Sequence, residues 1–367
     1  MNDIQKNMIY LLTCSVNGIT PDKEQVKTMD IEKLYRYAKF HTLRAAVCIA
    51  LERAGVNDEH FHQAYKKAIR KNIMFDMERL AIFDAFEQHG IWYMPLKGSI
   101  LKELYPENGM REMSDNDILY DGSKQGEVKK IMLEKGYTVE SFGEKIHDVY
   151  MKPPVLNYEM HSALFSSKNN KPLSRYYAEI KDMLLKDEGN AFGYHFSDED
   201  FYVYVTAHEW KHYTVKGTGI RSLLDCYIYI RAKGDNLDLK YIRKQCKNLG
   251  IEDFEKERRE LAMKIFSSEA LPELNADETE MLMNYLTAGT YGSFESVLER
   301  NLKGRSKLSF WLHSIFLPRR QMARHVQFTA KSPLLYPVGV VWRCFHVLIF
   351  GRNKIKKALK ILKNSDK

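Results

Sequence analysis

The chain has 367 residues, 44% apolar and 28% charged, with a formal net charge of +8. Its 20 glycines and 10 prolines fit no collagenous, disordered or low-complexity chain, and its length suits two or three folded units with a substantial core. Five scattered cysteines (Cys14, Cys48, Cys226, Cys246, Cys344) form no CxxC pair, which argues against a disulfide scaffold or zinc ribbon and fits a reducing cytoplasm.

Residues 1–90 read as helical. Met1 to Thr20 has no small-residue cleavage site and makes a poor signal peptide. Ile31, Leu34, Tyr35 and Ala38, then Leu43, Val47, Ala50 and Leu51, recur at helical spacing. A longer apolar stripe, Ile73, Met77, Leu80, Phe83 and Phe86, stops at His89-Gly90, where glycine ends a helix. The rhythm then changes. Ile91–Leu96 predicts a strand, Ser99–Tyr105 a short helix and Asp115–Tyr120 a second strand. A helix ends at Met132–Gly136, and Tyr137–Glu140, Val149–Lys152 and Leu156–Phe165 predict further strands. Residues 91–165 are thus expected to form a small mixed sheet unit.

From 166 to 300 the chain is expected to be helical again. Ser197 to Asp200 resembles a capping box opening a helix through Tyr213, and another helix is expected over Ile220–Ala232. Residues 301–367 carry 15 Lys+Arg against the single acid Asp366. The stretch Lys354–Lys363 is a candidate contact for anionic membrane or nucleic acid, although a solvated helix face is the plainer reading. Leu334–Phe350, 17 mostly apolar residues, lies at the lower limit of a membrane span and holds Pro337, Arg343 and His346; a buried or interfacial helix is expected. The class is therefore α+β, with a small mixed β-sheet core (91–165) between helical regions (1–90, 166–300) and a basic C-terminal region (301–367).

The chemistry concentrates between Leu96 and Leu119. A strand ending at Lys97, a tight turn at Gly98 and a helix opening at Ser99 would present backbone N–H groups and a hydroxyl to a phosphate. Asp115 and Asp117, two apart on a strand, project from one face. Like charges so close call for a cation between them, and magnesium accepts both carboxylate and phosphate oxygens. On the later strand Glu159 shares a face with His161, so pairing of the two strands would bring three carboxylates together. Such a cluster suits two-metal nucleotidyl transfer. The bland alternative is a turn followed by solvated acids on an edge strand.

In the succession LKGSIL, REMSDNDIL and NYEMH the chain resembles the uncharacterised nucleotidyltransferase family of the DNA polymerase β-like superfamily. Gly98-Ser99, Asp115, Asp117 and Glu159 match that superfamily's signature, and Lys97 and Arg111 match its flanking elements. The HEWKH stretch, Gly219–Asp225 and the LPRR and YP segments extend the likeness. Asn116 stands where an aliphatic residue is usual, and Glu159 where aspartate is frequent. The resemblance implies two magnesium ions (manganese as an alternative) on Asp115, Asp117 and Glu159. It implies a nucleoside triphosphate held by Lys97, Gly98, Ser99 and Arg111. It also implies transfer of a nucleoside monophosphate, most simply AMP from ATP, to a hydroxyl on a small molecule, peptide or protein.

Two rival signals remain. His208-Glu209-Trp210-Lys211-His212 fits HExxH, the zinc metallopeptidase motif, although only Asp225 offers itself as a third ligand. The paired histidines could instead pack internally or line the cleft, with Arg221 and Asp225 either at the cleft or joined as an intrahelical pair. A non-catalytic nucleotide- or membrane-binding protein is the third class. Tyr202, Tyr204, Tyr227 and Tyr229 are expected in the core and cleft wall rather than as a base-stacking platform.

Overall fold

The computed structural model describes residues 1–168, 170–290 and 332–350 and the single positions 315, 316, 322 and 326. The chain divides into two units, residues 1–214 with 218–290, and residues 215–217 with 291–367.

In the first unit five helices precede the sheet: α1 (Asp3–Asn17), α2 (Lys23–Lys27), α3 (Ile31–His41), α4 (Arg44–Arg53) and α5 (Glu59–Gln88). Their starts are written in the sequence. Asn2 forms a reciprocal capping box with Gln5, and Asp22, Asp30 and Asp58 each accept a backbone N–H from the first turn that follows. Such caps contribute about 1 kcal/mol each.

The sheet comprises β1 (Tyr93–Pro95), β2 (Asn116–Tyr120), β3 (Thr138–Ser141), β4 (His147–Lys152) and β5 (Leu156–His161), in the order β1-β2-β5-β4-β3. β2 and β5 run parallel, and the other pairs are antiparallel. Between β1 and β2 lies the four-residue helix α6 (Gly98–Leu101), and α7 (Gln125–Glu134) links β2 to β3. The alternation of side chains splits the sheet cleanly. Ile118 and Tyr120 of β2, Tyr150 of β4 and Leu156, Tyr158 and Met160 of β5 join a core with Phe75, Ile82 and Phe86 of α5 and Val128, Ile131 and Met132 of α7. The opposite face carries Asp117, Leu119, His147, Glu159 and His161, and there Leu119 enters the large helical core.

Beyond the sheet come α8 (Lys171–Tyr176), β6 (Leu185–Lys186), β7 (Tyr194–His195), α9 (Asp198–Val215), α10 (Ile220–Lys233), α11 (Leu239–Asn248), α12 (Glu252–Phe266) and α13 (Ala276–Ala288). Ser197 opens α9 as expected, its hydroxyl accepting the Asp200 N–H at 3.1 Å. Tyr202, Tyr204, Tyr227 and Tyr229 are all buried. In the second unit α14 (Tyr336–Phe350) forms where the apolar run was read. Val338, Val341, Trp342 and Phe345 of that helix are exposed, so it is not an enclosed core element. Among the described residues no helix is long and apolar enough to cross a membrane.

The α+β class is therefore as read, with three differences in detail. The β6–β7 hairpin interrupts the region expected to be helical, and Gly193 bridges to Tyr93 of β1. The strand expected over Leu156–Phe165 ends at His161. Of the apolar stripe, Ile73, Met77 and Leu80 lie on the exposed side of α5, whereas Phe86 faces inward with Phe61, Phe75 and Ile82. Helix formation was legible there, but not which side is buried. The LPRR segment, Lys354–Lys363 and the helices expected from 291 to 300 lie outside the described residues.

Candidate active site

The site is built on the sheet face opposite α5 and α7. Parallel pairing of β2 with β5 sets Asp117 directly beside Glu159 and Leu119 beside His161, while β4 places His147 opposite His161. Asp115 precedes β2 by one residue and is half-buried, whereas Asp117 is buried. Asn116, on the other face, is fully buried with its Nδ2 3.5 Å from the Tyr158 hydroxyl. The polar residue at that strand position is thus absorbed against a tyrosine.

Two nitrogen groups reach the acids. The Lys97 ammonium donates to Asp117 Oδ1 at 2.7 Å, and His161 Nε2 lies 2.7 Å from the same oxygen and 3.6 Å from Glu159 Oε2. Burial alone would raise Asp117, but Lys97 and His161 hold its carboxyl well below the usual carboxylate range. Asp115 moves the other way, pushed up by burial and by the Asp117 charge against the pull of Lys97. His161 is the main cause of a lowered Glu159, opposing burial. Burial opposes the charge of Lys97, yet the Asp117 carboxylate raises it above an ordinary lysine.

Lys97 sits at the Gly98 turn with φ 50° and ψ −112°, a left-handed backbone that side chains rarely adopt. Its carbonyl accepts from Ile100 and Leu101, at 3.2 and 3.0 Å, and the Leu96 carbonyl accepts from the Ser99 N–H at 3.3 Å. The turn therefore spends these N–H groups on itself, because the helix is a single turn; the expected row of N–H groups presented to a phosphate is not formed there. The Ser99 hydroxyl also donates to Leu96 O, at 2.7 Å.

Gly98 is required by close approach. A Cβ there would stand 2.6 Å from Arg111 Nη1 and 2.9 Å from Met113 Cε. Arg111 itself is buried and held bidentately by Asp225, Nε to Oδ1 at 2.7 Å and Nη2 to Oδ2 at 2.9 Å, while Tyr105 donates to Oδ1 at 2.7 Å. Arg111 and Asp225 thus form a buried strut beneath the turn. Asp225 is thus engaged by Arg111 and Tyr105. Arg221 instead donates to Thr42 Oγ1 at 2.8 Å and to the Glu112 carbonyl at 3.1 Å, close enough to Asp115 to lower it. Glu112 in turn accepts the Arg44 backbone N–H and guanidinium at the start of α4, at 2.5 and 2.6 Å.

Helix α9 supplies the opposing wall. Tyr204 lies in the field of Lys97, Asp117 and Glu159, and His208 in that of Lys97 and His161. Burial and the neighbouring Lys97 charge keep His208 well below the ordinary imidazole range. His212 joins through His208, Nε2 to Nε2 at 3.3 Å. Glu209 faces away: it is buried and accepts from Arg258 of α12 at 2.8 Å and from Tyr285 of α13 at 2.5 Å. The base that a zinc peptidase needs is therefore tied into the far core, and HEWKH does not assemble such a site.

Two residues near the acids carried no signal by themselves. Lys71 of α5, half-buried, donates to the Ser114 carbonyl at 2.9 Å and feels the charge of Asp115. His147 lies before the strand start expected at Val149. The alternation His147, Val149, Met151 was the signal that would have extended β4 backward.

A mixed sheet with an Asp-x-Asp pair beside a Gly-Ser turn, and a third acid in register on the neighbouring strand, is the arrangement implied by the sequence resemblance. The chain belongs to the uncharacterised nucleotidyltransferase family, whose model matches residues 27–267, and that membership places it among the nucleotidyltransferases. No curated protein and no solved structure matches the chain.

Proposed function

We propose that the protein is a magnesium-dependent nucleotidyltransferase that moves a nucleoside monophosphate, most simply AMP from ATP, to an acceptor hydroxyl with release of pyrophosphate. The observation that carries this reading is the register of β2 and β5, which sets Glu159 beside Asp117 with Asp115 two residues ahead, on the face where Lys97 meets Asp117.

The donor set fits magnesium. Three carboxylates offer hard oxygen ligands, and the upward push on Asp115 marks a face short of positive charge. Asp115, Asp117 and Glu159 would hold the ions, which when bound activate the acceptor hydroxyl and offset charge on the departing pyrophosphate. Lys97, Lys71 and Arg221 supply fixed positive charge around the triphosphate. Arg111 acts through the turn: locked by Asp225, it fixes Gly98 and Ser99. Tyr204 and His208 wall the face and exclude water from it.

The test is pyrophosphate release from each of the four nucleoside triphosphates with magnesium, over a panel of hydroxyl acceptors. Asp115→Asn and Asp117→Asn are expected to remove turnover while both variants stay folded. Turnover surviving in either variant overturns the assignment. Nucleotide binding without turnover under every acceptor would support a non-catalytic binding protein instead.

A further inference from the structure

We propose that His147, Glu159 and His161 form a second cation site that takes a zinc-class transition ion through imidazole donors. The three residues stand on adjacent antiparallel strands, with His147 paired across from His161 and Glu159 two positions earlier on the same face. Their ligating atoms lie within 4.8 Å of one another. Glu159 Oε2 is 3.7 Å from His147 Nε2 and 3.6 Å from His161 Nε2. Donors arranged tetrahedrally on an ion with bonds near 2.1 Å stand about 3.4 Å apart, so small side-chain movements close the site.

The donor chemistry differs from that of the carboxylate cluster. Two imidazoles with one carboxylate favour zinc, cobalt or nickel, whereas magnesium prefers oxygen alone. Both rings approach Glu159 through Nε2, the nitrogens that an ion beside this carboxylate would take. Binding there draws His161 from Asp117, its present partner at 2.7 Å, and takes Glu159 from any ion shared with Asp115 and Asp117. A zinc-class ion is therefore an inhibitor of the magnesium-loaded site. That consequence rests on the proposed transfer reaction, but the site itself does not.

The experiment uses the full chain without nucleotide. Zinc affinity is measured by competition with a chromophoric chelator in excess magnesium, for wild type, His147→Ala, His147→Asn and Asp115→Asn, with circular dichroism confirming folding of each. Wild type and Asp115→Asn are expected to retain zinc, and His147→Ala to weaken it at least about tenfold, since even outer partners of a ligand cost that much. His147→Asn, closer in size, repeats the test should the alanine variant unfold. Equal zinc affinity in wild type and folded His147 variants overturns the site. So does equal loss in Asp115→Asn and His147→Ala, which would locate the ion among the carboxylates. Zinc retained by a protein that never releases pyrophosphate leaves this site standing and counts against transfer alone.

Discussion

Replacing Asp225 by alanine tests the strut beneath the turn. Arg111 and Asp225 are 7% and 6% exposed, so the pair is removed from solvent and little screened. The carboxylate accepts two guanidinium bonds and one phenol bond, from Arg111 and Tyr105. In Asp225→Ala the guanidinium stays buried without its counter-charge, and the Tyr105 hydroxyl loses its acceptor. Breaking a buried pair from one side costs about 3–5 kcal/mol, a large part of the 5–15 kcal/mol that holds typical domains folded. Replacing both partners by apolar residues is different, because no buried charge is then left unpaired. Arg111→Met/Asp225→Leu should recover most of the loss, giving a coupling of at least about 2 kcal/mol between the positions. Urea denaturation at neutral pH, followed by circular dichroism, provides the four corners of the cycle. Losses that simply add would refute the strut. Pyrophosphate release gives a second reading: the double variant should be stable yet slow, since a flexible methionine no longer fixes Gly98.

Gly98→Ala should cost about 1–3 kcal/mol and at least tenfold in turnover, because the new Cβ meets Arg111 Nη1 at 2.6 Å and Asp225 prevents the guanidinium from yielding; unchanged turnover would show that the turn needs no such fixing. Lys97→Met removes the ammonium 2.7 Å from Asp117, so the metal-free variant should melt lower than wild type and gain more from added magnesium; the same magnesium response in both proteins would contradict this. His41, fully buried with Nε2 3.2 Å from the Leu286 carbonyl, is held by burial at about 4 rather than 6.5. As pH falls below 6.5 the unfolded chain takes up this proton first, so the stability is complete above 6.5 and is lost down to about 4. The loss by pH 5 amounts to about 2 kcal/mol, and His41→Gln should lose that much less between pH 7 and 5 in urea midpoints; identical pH slopes would exclude His41 as the source.

The β2–β5 pair was legible because alternation fixes which side chains share a face, and Asp115, Asp117, Glu159 and His161 were read from it. The first residues of β4 are harder to read, since His147-Asp148 lacks apolar character and only the alternation of His147 with Val149 and Met151 marks them. The β6–β7 hairpin, with two residues in each strand, is too short to carry any period. On α5 the letters Ile73, Met77 and Leu80 promised a buried side that the fold leaves exposed, because Phe75, Ile82 and Phe86 are the residues that pack against the sheet. HEWKH shows the same limit. Helical spacing correctly puts His208 near His212, but adjacent residues point about 100° apart, and α9 packs on both sides. Glu209 therefore meets Arg258 and Tyr285, residues some 50 and 75 positions away that no local pattern connects to it.

The charges on the site face are not shared evenly, and this bears on how stability and function divide. Lys97 and His161 both reach Asp117 through one oxygen, Oδ1, so that acid is stabilised within the chain itself. Asp115 has burial and its ionised neighbour against it, with the more distant field of Lys97 the largest in its favour. A carboxylate held in this way destabilises the metal-free fold and gains most from an added cation. Asp115→Asn removes a charge the fold opposes, and its neutral amide keeps nearly the same shape. The variant that should abolish transfer is therefore expected to be at least as stable as wild type without metal. Asp117→Asn leaves the Lys97 ammonium without the counter-charge it meets at 2.7 Å and should be the less stable of the two. If Asp115 were merely a solvated surface acid, neither asymmetry would follow. The order of the two melting temperatures thus reports on the site before any acceptor is known.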